Sequence, residues 1–129
     1  MAAVVVALLV PAGVALAGYQ NGGFAGTTAQ MEAIAFRADD VRVKKLATNV
    51  YAECADSTRQ RITVEKGRTE VDDDRFSLEL SGGSDLKVTV TGRLRGGRAG
   101  GRIVATVKPR DTSCKADLRW QATLAKSAS

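Results

Sequence analysis

The chain contains no histidine. That removes every nucleophile–imidazole pair, the imidazole general base and any metal site built on histidine. Aromatic residues are scarce, with one Trp, two Tyr and three Phe in 129 residues. Few rings are therefore on hand to stack on bases or sugars. Cysteine occurs only as Cys54 and Cys114, without the CxxC spacing of a thioredoxin-like redox pair. Acidic residues are in deficit: 14 Asp and Glu against 19 Lys and Arg leave a net charge of +5. At this length one domain is the default, and a dinucleotide fold with a separate substrate domain does not fit.

Charge is also missing from the beginning of the chain, where residues 2–17 read AAVVVALLVPAGVALA. A membrane span needs about twenty apolar residues, so the run is marginal for one. Pro11 interrupts it, and it ends in Ala15-Leu16-Ala17, the small-x-small pattern of a signal-peptidase site. Residues 1–17 read as a secretory signal cleaved after Ala17, with an n-region whose only positive charge is the terminal amine. The alternatives are an uncleaved single anchor or a buried core helix. No cysteine follows the run, so a lipid anchor on the mature N-terminus is excluded. Residues 18–129 then form one domain without a transmembrane span, secreted or associated with the cell envelope. Export supplies an oxidising compartment, and two thiols allow one intramolecular bridge. A Cys54–Cys114 disulfide closes a loop worth about 4 kcal/mol by chain entropy.

The remainder reads as strands. Alternation of period two, the mark of a half-buried strand, recurs along it. Ile34, Phe36 and Ala38 share one parity, as do Leu46, Thr48, Val50, Ala52 and Cys54. Ile62 and Val64 form a short pair, followed by Phe76, Leu78 and Leu80, then Leu86, Val88 and Val90. Ile103, Ala105 and Val107 make another run, and Cys114, Ala116, Leu118, Trp120, Ala122 and Leu124 the last. Both cysteines fall on apolar parities, which points to a buried bridge between distant strands. Turn signals stand at Lys66-Gly67, Gly82-Gly83-Ser84, Gly96 to Gly101 and Pro109 to Ser113. The rhythm predicts an all-β domain, an antiparallel sandwich or small closed barrel of about eight strands with one disulfide.

Two registers follow from apolar matching. A loop at Gly82-Gly83-Ser84 pairs Leu80 with Leu86, Leu78 with Val88 and Phe76 with Val90, with Glu79 facing Lys87. In the next hairpin Leu94 faces Ile103 and Arg95 faces Arg102. Like charges directly opposite are unfavourable, so either the register differs or an anion or carboxylate sits there. Trp120 belongs in the core near the disulfide. Tyr19 and Phe24, in YQNGGF, read as a flexible lead-in.

Gly26–Gln30 (GTTAQ), Ile34-Ala35-Phe36, the mid-chain Cys54, Phe76-Ser77, and Cys114 with Trp120-Gln-Ala resemble a group of small secreted, two-cysteine β-proteins from high-GC Gram-positive bacteria. Their outline runs Y-x-G-x-T-S-Q-G, I-x-F, two spaced cysteines and W-T-A. This chain has Met31 where the outline has Gly, and Gln121 where it has Thr. The resemblance implies a secreted, disulfide-bonded β-domain and no activity.

Candidates for chemistry are few. Lys87, Arg93, Arg95, Arg98, Arg102 and Lys108 are expected to point outward, interspersed with Thr89, Thr91 and Thr106. Such a face suits phosphate-rich or carboxylate-rich polymers, since arginine offers bidentate donors. At a cell surface the partners are anionic envelope polymers or lipid headgroups, and aromatic poverty argues against nucleic acid. The bland reading of RGGRAGGR (95–102) is a glycine-rich loop with solvated arginines. Asp72-Asp73-Asp74 reads as a polar turn, since three consecutive aspartates do not converge on one ion. Glu32, Glu53, Glu65, Glu70 and Glu79 are spread along the chain, and no spacing pairs them for glycoside hydrolysis. No catalytic residue, cofactor or metal is expected. A non-enzymatic binding or structural module comes first. A carrier or inhibitor acting through an internal pocket, or through an edge strand, is the alternative, for which small inward residues such as Ala52, Ala105, Ala116 and Ala122 leave room.

Overall fold

The computed structural model describes residues 18–127. The expected leader over 1–17 lies outside them. Eight strands follow one another: β1 (Gly22–Thr28), β2 (Ala33–Ala38), β3 (Arg42–Cys54), β4 (Arg59–Asp72), β5 (Arg75–Gly82), β6 (Leu86–Arg95), β7 (Arg98–Val107) and β8 (Cys114–Ser127). Each pairs antiparallel with the next, and β8 returns to β1 to close the sheet. Of the two expected architectures, the closed barrel is the one adopted.

The closure is shared. From Trp120 onward β8 pairs with β1, whereas its first residues, Cys114 and Lys115, pair with Cys54 and Glu53 of β3. The disulfide therefore joins strands distant in sequence but adjacent in the sheet, with Cys54 and Cys114 directly opposite, Cα–Cα 3.9 Å. Between the point where β3 leaves β2, at Ile34↔Thr48, and the point where it meets β8 lies Tyr51. The Gln30 side chain fills this interval. Its Nε2 donates to Tyr51 O (2.8 Å) and its Oε1 accepts from Tyr51 N (2.9 Å). Buried Thr28 shapes the preceding turn, its Oγ1 accepting from the backbone N–H groups of Gln30 and Glu32. Two residues of the GTTAQ stretch thus serve the wall of the barrel.

The predicted inward parities hold on β2 to β8. Ile34, Phe36, Val50, Ala52, Ile62, Val64, Val88, Val90, Ile103 and Ala105 are all buried. Leu80, Leu86, Ala116 and Leu124 pack against this core from its margin. At the centre four rings meet. Phe24 stacks on Phe36 at 5.1 Å between centroids, Trp120 meets Phe36 edge-on at 5.8 Å, and Phe76 lies 6.0 Å from Phe36 and 6.1 Å from Trp120. The Trp120 indole N–H donates to Thr91 O (3.0 Å), satisfying its one polar atom. Gly92 makes space for the rings: a Cβ there would lie 2.5 Å from Phe76 Cε2 and 2.6 Å from Trp120 Cζ2.

Several local expectations need correction. Phe24 is not in a flexible lead-in; it lies on β1, 1% exposed, and Tyr19 is buried as well. Trp120 is in the core but not beside the disulfide, since six residues of β8, about 20 Å at strand rise, separate it from Cys114. Lys66-Gly67 is not a turn. Lys66 adopts φ 55 inside the continuous 14-residue strand β4, and Lys45 adopts φ 56 on β3. Between Val43↔Thr69 and Leu46↔Gly67 the extra residue is on β3; between Leu46↔Gly67 and Thr48↔Val64 it is on β4. These two compensating bulges bend these two long strands around the core.

Both hairpin registers are displaced, the first by two residues and the second by four. In the first, Leu78 faces Val90, Leu80 faces Val88 and Gly82 faces Leu86, so Glu79 lies opposite Thr89 rather than Lys87. The loop is Gly83-Ser84-Asp85, with Ser84 and Asp85 at positive φ. In the second, Leu94 faces Ala99 and Arg95 faces Arg98 across Gly96-Gly97. Gly96 has φ 58, which a II′ turn requires at its first central residue. An even shift preserves every inward and outward assignment, which is why parity alone did not detect it.

The segment before β1 is tied down. Gln20 N donates to Gly96 O and Gly96 N donates to Gly18 O. The Tyr19 hydroxyl donates to Asp39 O. Burial, then the negative charges of Asp39, Asp40 and Asp74, push the Tyr19 phenol up to about 12. The fold thus favours the neutral phenol. Its contribution to stability is whole below pH 10 and is lost as pH rises from 10 to 12. Absorbance titration is expected to show the Tyr19 phenol ionising near pH 12. Ionisation of the Tyr19 phenol near pH 10 would contradict the buried position.

Candidate anion-binding face

The sheet brings outward side chains into rows. Across β5 and β6 Arg75 stands opposite Arg93; across β6 and β7 Arg95 stands opposite Arg98; across β7 and β8 Arg102 stands opposite Arg119. All six are exposed. Directly opposed like charges destabilise a sheet, and here three such pairs share one side of the barrel. For Arg102 a counter-charge is built in. Its Nε and Nη2 donate to Asp117 Oδ1 and Oδ2 at 2.6 and 2.7 Å. These hydrogen bonds hold the Asp117 carboxyl below its ordinary range and raise Arg102 further. Both partners are open to solvent, so the pair orients the guanidinium more than it stabilises the fold. The ion pairs among the described residues are this one and Lys44–Asp39. The carboxylate anticipated beside Arg102 is present, and the register differs too.

Gly100 lies at the centre of the arginines. In its row come Arg93 on β6, Gln121 on β8 and Thr27 on β1. Arg98 and Arg102 lie two residues to either side on β7, and successive outward positions of a strand are about 7 Å apart. With no side chain at Gly100, the surface dips. A depression of about 660 Å³ is lined by Thr27, Gly100, Gly101, Arg102, Arg119 and Gln121. A second, about 340 Å³, continues past Gly26, Arg98 and Thr123. The floor offers an amide and hydroxyls, and the rim offers guanidinium groups. Such a surface donates hydrogen bonds to phosphate or carboxylate oxygens from several sides.

Of the predicted residues, Arg93, Arg95, Arg98 and Arg102 are gathered here. Lys87 and Lys108 are not. Lys87 precedes Arg95 by eight residues of β6, about 27 Å, and faces Thr106. Lys108, just past the end of β7, bonds its backbone N–H to Ser84 O. Both lysines are exposed but belong to the opposite end of the barrel. Arg75, Arg119 and Gln121 were missed. Their outward parity was visible, but only the correct register places Gln121 and Arg119 next to Gly100 and Arg75 next to Arg93.

The other candidates fall into structural roles. Asp73 and Asp74 both take positive φ and make the tight turn from β4 to β5, with Asp72 opposite Arg75. Glu53 lies opposite Arg59 and Lys115, and Glu70 opposite Arg42. Among the described residues no three acidic or cysteine side chains gather as metal ligands, and no helix is long and apolar enough to cross a membrane. Comparison with known protein families, with curated proteins and with solved structures finds no match to this chain.

Proposed function

We propose that this protein is a secreted, non-enzymatic binding module that works at the cell envelope and holds anionic polymers or lipid headgroups on the arginine face around Gly100. The observation that carries the reading is the set of directly opposed arginines, Arg75 with Arg93 and Arg95 with Arg98, none of which makes an ion pair among the described residues. An arrangement that costs stability in the free protein is relieved when an anion bridges the pair. The glycine floor lets an extended chain approach the backbone, and Gln121 and Thr27 add neutral donors.

Co-sedimentation of the oxidised protein with isolated cell envelopes across a salt series tests this. Binding is expected at about 0.05 M salt and is expected to fall at least tenfold by about 0.5 M, as multiple phosphate or carboxylate contacts require. Arg93→Ser with Arg98→Ser should weaken low-salt binding by about tenfold or more, two charge-assisted contacts being lost. Lys87→Ser with Lys108→Ser should leave it within about twofold, the change expected from net charge alone. Absence of binding at every salt concentration, or equal losses from both double variants, would defeat the assignment.

A further inference from the structure

We propose that cleavage between Ala17 and Gly18 is a built-in maturation step: the α-ammonium it creates on Gly18 becomes the ion-pair partner of Asp74 and locks the amino-terminal segment across two hairpin turns. The inference rests on the export half of the reading above and is independent of the arginine face.

Four observations converge on this position. Gly18 N lies 3.2 Å from Asp74 Oδ1 and donates to it. Glycine permits this close approach, because a Cβ on Gly18 would lie 2.3 Å from Asp74 Oδ2 and would displace that carboxylate. The next two residues are fixed, Tyr19 by burial and its bond to Asp39 O, Gln20 by its bond to Gly96 O. The sequence immediately before Gly18 is Ala15-Leu16-Ala17, a small-x-small cleavage pattern. Two independent features thus choose the same bond: the cleavage pattern and the seat prepared for what cleavage produces.

Hydrolysis adds one water across the Ala17–Gly18 peptide bond. Ala17 leaves with a carboxylate, and Gly18 keeps a primary amine that carries the remaining proton at neutral pH, given an ordinary α-amino pKa of about 7.7–8.0. A neutral N–H donor is thereby replaced by a charged one facing the same carboxylate, and a hydrogen bond to a charged partner becomes an ion pair. Asp74 sits in the β4–β5 turn, and its carbonyl accepts from Leu94 N, while Gly18 O accepts from Gly96 N in the β6–β7 turn. The new charge therefore ties together the chain start and both turns that flank Arg75, Arg93, Arg95 and Arg98.

The full chain, expressed in an exporting Gram-positive host, gives the first readout. The N-terminus of the extracellular product is expected to read Gly18-Tyr19-Gln20-Asn21. A different start, or a retained leader, would overturn the cleavage assignment. The ion pair is then tested on that product with Asp74→Asn, which keeps the turn because Asn tolerates the left-handed conformation Asp74 adopts at φ 61. With a free α-amine the substitution should lower Tm by about 1–5 °C, the range for an exposed ion pair in a domain of this size. With the α-amine acetylated, the same substitution should change Tm by about 1 °C or less. Equal losses on both chains would show a neutral contact and overturn the pairing. Neither result depends on envelope binding.

Discussion

Replacing Cys54 and Cys114 together by Ala should lower the unfolding free energy by about 4 kcal/mol, the chain-entropy value for a loop of this length. For a domain of this size that is on the order of 15–20 °C in Tm. The bridge spans 60 residues of sequence and sits where β3 and β8 share only two register pairs, Glu53↔Lys115 and Cys54↔Cys114. So short a ladder has little else to hold it. Both sulfur atoms lie in the core, so alanine leaves small voids and no buried polar group. Urea unfolding followed by far-UV circular dichroism would read the change as a lower midpoint. A loss below about 1 kcal/mol would mean that the β3–β8 junction holds without the bridge, contrary to the loop-closure account.

Trp120→Ala should cost about 3–5 kcal/mol, the range for deleting a buried large aromatic. Trp120 is 3% exposed and touches two of the three phenylalanines in the chain. Its removal leaves a cavity between β6 and β8 that Gly92, having no side chain, cannot fill. It also deprives Thr91 O of the indole donor. Trp120→Phe separates the two effects, since it keeps a ring and loses the hydrogen bond; its cost should be roughly 1–3 kcal/mol. Equal destabilisation by Ala and Phe would show that the hydrogen bond, not ring packing, dominates the site. The experiment also bears on the carrier reading, because a core that tolerates loss of its only Trp is loosely filled.

Which residues face inward was legible almost throughout, because alternation depends only on strand pleat and burial. The disulfide was legible for the same reason, with both cysteines on apolar parities. β1 was not: Gly22, Gly23 and Gly26 dilute its pattern to the single apolar anchor Phe24. The bulges at Lys45 and Lys66 were hidden because non-glycine residues at positive φ carry little sequence signal. Hairpin register failed for a different reason. Apolar matching is degenerate to steps of two, and turn chemistry broke the tie against the expected loops. That error carried into the site. A two-residue slip exchanges Glu79–Lys87 for Glu79–Thr89, and a four-residue slip sets Arg95 against Arg98, so the arginine face was recognised while its centre at Gly100 was not.

Gln30 gives this barrel a chemical requirement at a position that burial alone would treat as tolerant. Its side chain stands in for a stretch of neighbouring backbone, offering Tyr51 one donor and one acceptor at strand-like distance. A primary amide of this length meets the need. Glutamate has no donor when ionised, asparagine is one methylene short, and leucine offers neither group. Position 30 is therefore constrained by hydrogen-bond arithmetic rather than by volume. That amide bridges the passage from a wall closed by β1 and β2 to one closed by β3 and β8.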